Sequence, residues 1–561
     1  MKTRVIQNEP DQPTTQEDQI VAAEPRRTTN PADRTRLWST RHRKITIVPL
    51  LAALVLGGAF LASRPGASDA TAAGGAPTAA PDFAAIDNFV EAEMDAQRIP
   101  GLALGIVEDD RIVHMRGFGE AEPSGRAVSP QTPFIIGSLS KSVTALAIMQ
   151  LVEAGKVDLD APVQRYIPWF RVADEEASAQ ISVRHLLNQT SGLSTKTGRS
   201  FQGSGDTSDR ALEQAVRKLS TVQLTEPVGA THQYSTINYS VLGLIVQTVS
   251  GQSYERYIQE RIFGPLEMRH SFTSEAEARP QGLATGHHYW FGRPAAADLP
   301  YNRGLLPAGY LISSAEDMAH YLIAQLNNGD YGGAAVLSPS GTAELHRRAV
   351  PTPETDTSYG MGWFVGPVNG IPAVFHQGET FNYHANIVLI PGSQRGVVVL
   401  MNAENSLDLF IRGRMGTVAD GVASLLEGQE PPSPPSNTGV FVVYTALLGI
   451  IVLQVVGMIR SAAALRRRRV PTGRFGWKSR TGLALALNLS WALLVLVLLP
   501  KQLGVPLLTL AQGLPDLAYA LLVSGVVALG WGVLRTVWAY FALRRGDAAR
   551  LTEPQALAQP L

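Results

Sequence analysis

Residues 134–154 read FIIGSLSKSVTALAIMQLVEA. From Ser138 to Ala154 the stretch is apolar nearly all round and stops at Gly155, the pattern of a helix buried on every side. Lys141 breaks that pattern. A cation near the first turn of a wholly apolar helix is expensive unless the amine has a purpose. The chain has 8 Lys in 561 residues, and Lys141 is the one with a serine three positions before it. Residues three apart share a helix face, so the Lys141 amine can reach the Ser138 hydroxyl. A serine attacks poorly until a base takes its proton, and a desolvated lysine can be that base or hold another one ready. A helix N-terminus also offers a backbone N–H to a developing oxyanion. S-x-x-K fixes only two residues, so on local grounds a structural lysine and a catalytic one both stay open.

Around this helix lies a long stretch of mixed composition, residues 83–430, ample for a large globular core. Residues 84–97 have helical spacing, and Leu102–Val107 and Arg111–Gly117 flank Asp109-Asp110 as a β-hairpin. Helices are expected at 183–187, 209–219, 239–249, 253–262 and 315–326. Strands are expected at 360–366, 371–376, 384–391 and 395–402, with a closing helix over 415–426. An early hairpin, a helical block, then strands and a last helix predict an α+β fold whose antiparallel sheet joins the two ends of the domain. Gly360-Met361-Gly362 reads as a strand-end turn, and His287-His288 as surface residues.

Beyond this domain the charges thin out. Charged residues are 17% of the chain, below the usual ~25%. Four charge-free apolar segments contribute to the deficit: 45–62, 439–459, 481–500 and 517–534. Each can cross, or nearly cross, a hydrocarbon layer of about 30 Å. The first also resembles a signal peptide, but the 44 residues before it are too many and Phe60 spoils the cleavage site. Basic residues flank the spans unevenly. Arg26, Arg27, Arg34, Arg36, Arg41, Arg43 and Lys44 precede the first, Arg460 to Arg480 separate the second and third, and Arg535, Arg544, Arg545 and Arg550 follow the fourth. Between the third and fourth there is only Lys501. Positive residues stay cytoplasmic, so both termini are expected inside the cell and residues 63–438 outside it. The expected order is a basic cytoplasmic tail (1–44), a span (45–62), a linker (63–82), the globular domain (83–430), a Pro-rich linker (431–438) and a span (439–459). A basic cytoplasmic loop (460–480), spans at 481–500 and 517–534 and a cytoplasmic tail (535–561) complete it.

Composition excludes several functions. Lys+Arg and Asp+Glu are 48 each, so no excess basic charge exists to hold nucleic acid through its phosphates. The absence of Cys removes disulfides, thiolate metal sites and a cysteine nucleophile. Phosphate-loop, HExxH and GxSxG motifs are also missing, and the His residues have no metal-ligand spacing. No cofactor or metal is expected.

The segment FIIGSLSKSVTALAIMQLVEAGKVDLDAPVQRYIP resembles the nucleophile region of serine β-lactamases and penicillin-binding proteins, in particular the class C β-lactamase and esterase branch. ISVRHLLNQTSGL, YSTINYSVLGLIVQTVSG, ERIFGPLEM, PAGYLISSAEDMAHYL and YGMGW follow in that family's order, over roughly 83–430. The resemblance implies a class C β-lactamase-like α+β fold, an antiparallel sheet flanked by helices with an inserted helical region. It makes Ser138 the nucleophile and places Tyr234, in Tyr234-Ser235-Thr236, in the family's Y-x-N motif as base partner of Lys141. Thr236 stands where the family has asparagine, which puts β-lactam and peptide-amide turnover in doubt. His376-Gln377-Gly378 matches the H-x-G that often replaces K-T-G in the esterase and peptidase branch. The resemblance gives His376 and Gly378 to the substrate strand, and the Glu379 N–H joins that of Ser138 in the oxyanion hole. The following Thr380-Phe381-Asn382-Tyr383 is bulkier than the family's Gly-rich stretch.

Two functions follow. The first is a membrane-anchored extracytoplasmic serine hydrolase acting through an acyl-enzyme on a small ester, peptide or cell-wall substrate. The second is a catalytically weak membrane scaffold, or a sensor that binds a cell-wall ligand in the same pocket.

Overall fold

A computed structural model describes residues 81–353, 356–407, 414–434, 436, 438–466 and 474–551. The chain divides into Met1–Leu54 and Val55–Leu561, and the described residues all belong to the second unit. The expected first span, 45–62, lies outside the described residues.

Asp82 caps helix α1 (Phe83–Gln97), its carboxylate accepting from the Ala85 N–H at 3.1 Å. The hairpin of β1 (Gly101–Glu108) and β2 (Arg111–Gly119) follows, turning at Asp109 with φ +55°. The helical block contains α2 (Ser140–Glu153) and α3 (Ile237–Ser250). A short hairpin, β3 (His287–Trp290) and β4 (Arg293–Ala296), precedes α4 (Ala315–Leu326). Strands β5 (Val350–Pro351), β6 (Ser358–Tyr359), β7 (Phe364–Val368), β8 (Ile371–Glu379), β9 (His384–Ile390) and β10 (Arg395–Met401) lead to α5 (Thr417–Leu426).

The main sheet runs β2-β1-β10-β9-β8-β7-β6-β5, antiparallel throughout. Its β1–β10 pairing, Leu102 opposite Met401 through Glu108 opposite Arg395, joins the two ends of the domain as the sequence predicts. Strand β1 is apolar at successive positions because both its faces are covered. Leu102, Leu104 and Ile106 pack with Ile86 and Val90 of α1 and Val418 and Val422 of α5. Ala103 and Val107 face the larger core shared with α2, α3 and α4. Helices flank an antiparallel sheet, and the helical block is inserted between its first and last strands.

Two local expectations change. The strand expected at 360–366 is β7, displaced because Gly362 turns at φ +84° and interrupts the chain after β6. The histidines 287 and 288 are not on the surface. His287 is buried on β3 with Nδ1 3.0 Å from the Asn402 carbonyl, and half-buried His288 sets Nδ1 2.8 Å from the Gln512 carbonyl.

After the domain come α6 (Thr438–Arg466), α7 (Arg474–Leu493), α8 (Leu507–Gly513) and α9 (Pro515–Leu551). A π-turn at Leu494–Leu498 carries α7 on to Leu503. Thr438–Ala464, Thr481–Leu503 and Pro515–Phe541 are long and apolar enough to cross a membrane, and each contains one of the three C-terminal spans expected.

Candidate active site

The nucleophile turn comes first. Gly137–Leu139 form a 3-10 turn and the regular helix begins at Ser140, so Ser138 sits just ahead of α2 rather than inside it. Gly137 has φ +54°, and a Cβ there would meet the Glu379 nitrogen at 2.3 Å. A Cβ on Gly378 would lie 2.1 Å from the Ile136 carbonyl oxygen. These two glycines let the nucleophile turn and the end of β8 touch backbone to backbone. That contact brings the Ser138 turn and the Glu379 N–H together.

Ser138 is partly exposed, whereas Lys141 is wholly buried. The Lys141 Nζ donates to Ser138 Oγ at 2.8 Å and to the Ala308 carbonyl at 2.6 Å. It also lies 4.9 Å from the centre of the Tyr234 ring and 5.8 Å from that of Tyr239. Burial pulls the amine down to about 7, against the pull of the Glu379 carboxylate. A lysine poised there is partly neutral at physiological pH and can accept a proton.

Tyr234 reaches the same hydroxyl from the loop before α3. Burial and the neighbouring Tyr359 push its phenol well above the usual tyrosine value, opposed by a hydrogen bond with Ser138. The phenol therefore stays protonated, and the amine is the easier proton acceptor of the two. The structure thus brings Ser138, Lys141 and Tyr234 together.

His376 lies on β8 as expected, 1% exposed. Its Nε2 is 3.2 Å from the Tyr359 hydroxyl and its ring packs 5.1 Å from that of Phe364. Burial, with Lys141 adding to it, pulls the imidazole down to about 3. His376 is neutral, so it can orient a neighbour but brings no positive charge to an anion. The Glu379 carboxyl is raised to about 7 by burial and by Glu404, against His384, Lys141 and Arg199.

Residues 86–416 match the family model described as Beta-lactamase. The chain belongs to the beta-lactamase family. Protein flp of Staphylococcus aureus strain MW2 is 28% identical over 320 residues, 56% of this chain and 62% of that protein. This chain thus matches less than two thirds of that relative's length. Penicillin-binding protein 4 of Amycolatopsis lactamdurans is 28% identical over 354 residues, 60% of this chain and 90% of that protein. Among solved structures, the octameric penicillin-binding protein homologue from Pyrococcus abyssi is similar with a TM-score of 0.54 and 27% identity, over 62% of this chain and 78% of that one.

Within this beta-lactamase-family domain, Asn238 does not stand in for the asparagine missing at Thr236. Its Nδ2 donates to Gln189 Oε1 at 2.6 Å and its Oδ1 accepts from Ser191 Oγ at 2.7 Å. Gln189 Oε1 also accepts from the Ser235 N–H at 2.9 Å, which fixes the loop carrying Tyr234. Sequence reasoning missed Gln189 and Tyr359. Each stands inside a quoted family segment, NQTSGL and YGMGW, but a lone polar side chain there gives no sign of its partner. A separate group, His270, Glu316 and Asp317, has ligand-type atoms within 4.8 Å of one another. Asp317 already accepts from the His270 N–H and Ser271 Oγ, both at 2.7 Å, and so braces the start of α4.

Proposed function

We propose that this protein is a membrane-anchored serine hydrolase with its catalytic domain outside the cytoplasm, acting on an ester or amide through an acyl-enzyme. The observation that carries the reading is the buried Lys141 amine, 2.8 Å from the Ser138 hydroxyl and held near 7. Ser138 attacks the carbonyl and Lys141 takes its proton. Tyr234, protonated, passes a proton toward the leaving group. The N–H groups of Ser138 and Glu379 hold the oxyanion, with Gly378 bringing the strand close. His376 keeps Tyr359 and the strand in place. Water then releases the acyl group. An ester ranks before a D-amino-acid peptide, and that before a β-lactam, because Thr236 lacks the amide that would hold a substrate amide.

The domain boundaries proposed are 83–430 for the hydrolase, with the span at 45–62 and three more at 439–459, 481–500 and 517–534. Both termini are then cytoplasmic. Ser138→Ala is expected to abolish ester turnover and fluorophosphonate labelling of the purified full-length protein. Full activity in that variant overturns the mechanism. The scaffold or sensor reading draws on Thr236 and on a membrane portion larger than an anchor needs. Ligand binding with no acylation by any ester favours it instead.

A further inference from the structure

The short helix α8 joins two membrane-crossing stretches and packs on two segments that flank the Ser138 site, taken here as its two rims. On one rim, a Cβ at Gly504, just before α8, would meet the Lys196 side chain at 2.3 Å, and one at Gly203 would meet Thr509 at 2.8 Å. The Lys196 segment borders Tyr234, since Ser235 Oγ donates to the Ser194 carbonyl at 2.9 Å. On the other rim, a Cβ at Gly513 would meet the ring of Phe381, two residues after Glu379, at 2.6 Å. A cavity of about 370 Å³ lies against this contact, walled by Phe381, Tyr310 and Tyr383 from the domain and by Gln512 from α8. Tyr310 lies two residues beyond Ala308, whose carbonyl takes the Lys141 amine.

The β3–β4 tip fixes the same orientation. Its Trp290 stacks on Tyr519 of α9 at 5.6 Å, and Phe291, 64% exposed, packs on Tyr444 of α6 at 5.6 Å. The Phe291 N–H and the Tyr444 hydroxyl both donate to the buried Asp516 carboxylate, at 2.8 and 2.7 Å. Aromatic rings grouped at the ends of apolar helices mark the level of lipid headgroups. The cleft rim is therefore held at that level, beside the bilayer.

Building on the hydrolase reading above, we propose that the substrate is an ester on a membrane-anchored amphiphile, reached at headgroup level along the α8 seam. Ser138 Oγ adds to the carbonyl carbon as its proton moves to Lys141 Nζ. The bond to the ester's alcohol oxygen breaks as that oxygen takes the proton and leaves as the alcohol. Water then adds to the acyl-serine, giving a carboxylic acid and restoring the Ser138 hydroxyl. Holding cleft and ester at one depth raises their effective concentration.

The test uses the full chain in phosphatidylcholine nanodiscs, with 4-methylumbelliferyl palmitate in the bilayer and p-nitrophenyl acetate in solution. The double variant Trp290→Ala, Phe291→Ala is expected to lose about tenfold or more on the embedded ester and to keep the soluble ester within about twofold. Equal loss on both esters, or no loss on the embedded one, overturns the proposal. So does a parent protein that hydrolyses the soluble ester but not the embedded one. Fluorophosphonate labelling of Ser138 separates the two levels. A labelled protein without embedded-ester turnover rejects only this substrate class, whereas an unlabelled one rejects the hydrolase reading as well.

Discussion

Helices α2 and α6 are both almost free of charge, yet their apolar surfaces meet different surroundings. In α2 nearly every side chain is buried inside the domain, Lys141 included. In α6 none of the apolar window is buried, and Phe441 and Leu448 stand 69% and 63% exposed. Protein covers α2 on every side, so its one cation is enclosed, paired and shifted in pKa. Among the described residues, α6 meets α9 and the β3–β4 tip along one side, and the rest of its surface stands open, with a length and composition that suit lipid. A stretch of apolar residues thus does not declare its solvent. What separates the two is length and the presence of an enclosed cation with partners.

The sharpest way to break this comparison is to make α2 as apolar as α6. Lys141→Met is expected to lower kcat/KM on a soluble ester by about 10³-fold or more, because the proton acceptor is gone. The same change is expected to raise thermal stability, since swapping a buried ion for an apolar group of similar volume often gains about 1–4 kcal/mol. The sign follows from the folded amine titrating near 7 against 10.5 when unperturbed. Below about pH 7 both folded and unfolded chains carry the charge and the full cost of burying it is present, whereas above 10.5 neither does. Calorimetric gain from Lys141→Met should therefore be largest below pH 7 and fade in alkali. A variant that loses stability at every pH contradicts this account of α2.

The converse places a lysine in α6. Val452→Lys is expected to cost about 2.5–3.5 kcal/mol of insertion, read as alkali extraction of the protein from membranes. Equal retention of parent and variant argues that α6 is covered by protein after all. Next in size is Gly378→Ala. A Cβ only 2.1 Å from the Ile136 carbonyl has to push the nucleophile turn away from β8, so kcat should fall by about tenfold or more with KM less changed. An unchanged kcat would show that this backbone contact has no part in turnover. The smallest effect concerns Glu379. With Lys141 as base, kcat/KM should fall about tenfold per pH unit below about 7. Glu379→Gln removes a carboxylate that holds the Lys141 proton on, so this acid limb should move to lower pH. Movement to higher pH would reverse the assigned electrostatics.

Much of the beta-lactamase-family domain could be read from its pattern. The helix predicted over 315–326 is α4, residue for residue, and the β1–β2 hairpin and strands β8 to β10 lie close to the stretches expected for them. The Ser138–Lys141 spacing already implied contact, because both lie within one turn of chain. Long-range partners were harder. Tyr359 bonds His376 from a two-residue strand, too short to show any period. The segment PLLTLAQGLP, from Pro506 to Pro515, carries no pattern that places it, and only tertiary packing on Phe381 and Gly203 sets it beside the candidate site. The β3–β4 hairpin begins with two histidines whose polarity suggested solvent, yet their backbone-carbonyl partners come from residues far along the chain. Local periodicity reports burial of a face. It says nothing of what is brought to that face from a hundred or more residues away.

The pairing of β1 with β10 sets the timetable of biogenesis. Leu102 leaves the ribosome early, but its partner Met401 is made only when the domain is nearly complete. The central sheet cannot close before then, and folds ruled by such distant contacts form slowly. Until then β1 has only its hairpin partner β2, and its other edge stays open on an apolar strand, the kind of segment that invites aggregation. The long apolar helices α6, α7 and α9 are made after the closing helix α5. A delay in completing β10 would leave this strand unprotected, so the nascent chain should depend on a holding chaperone until residue 401 arrives.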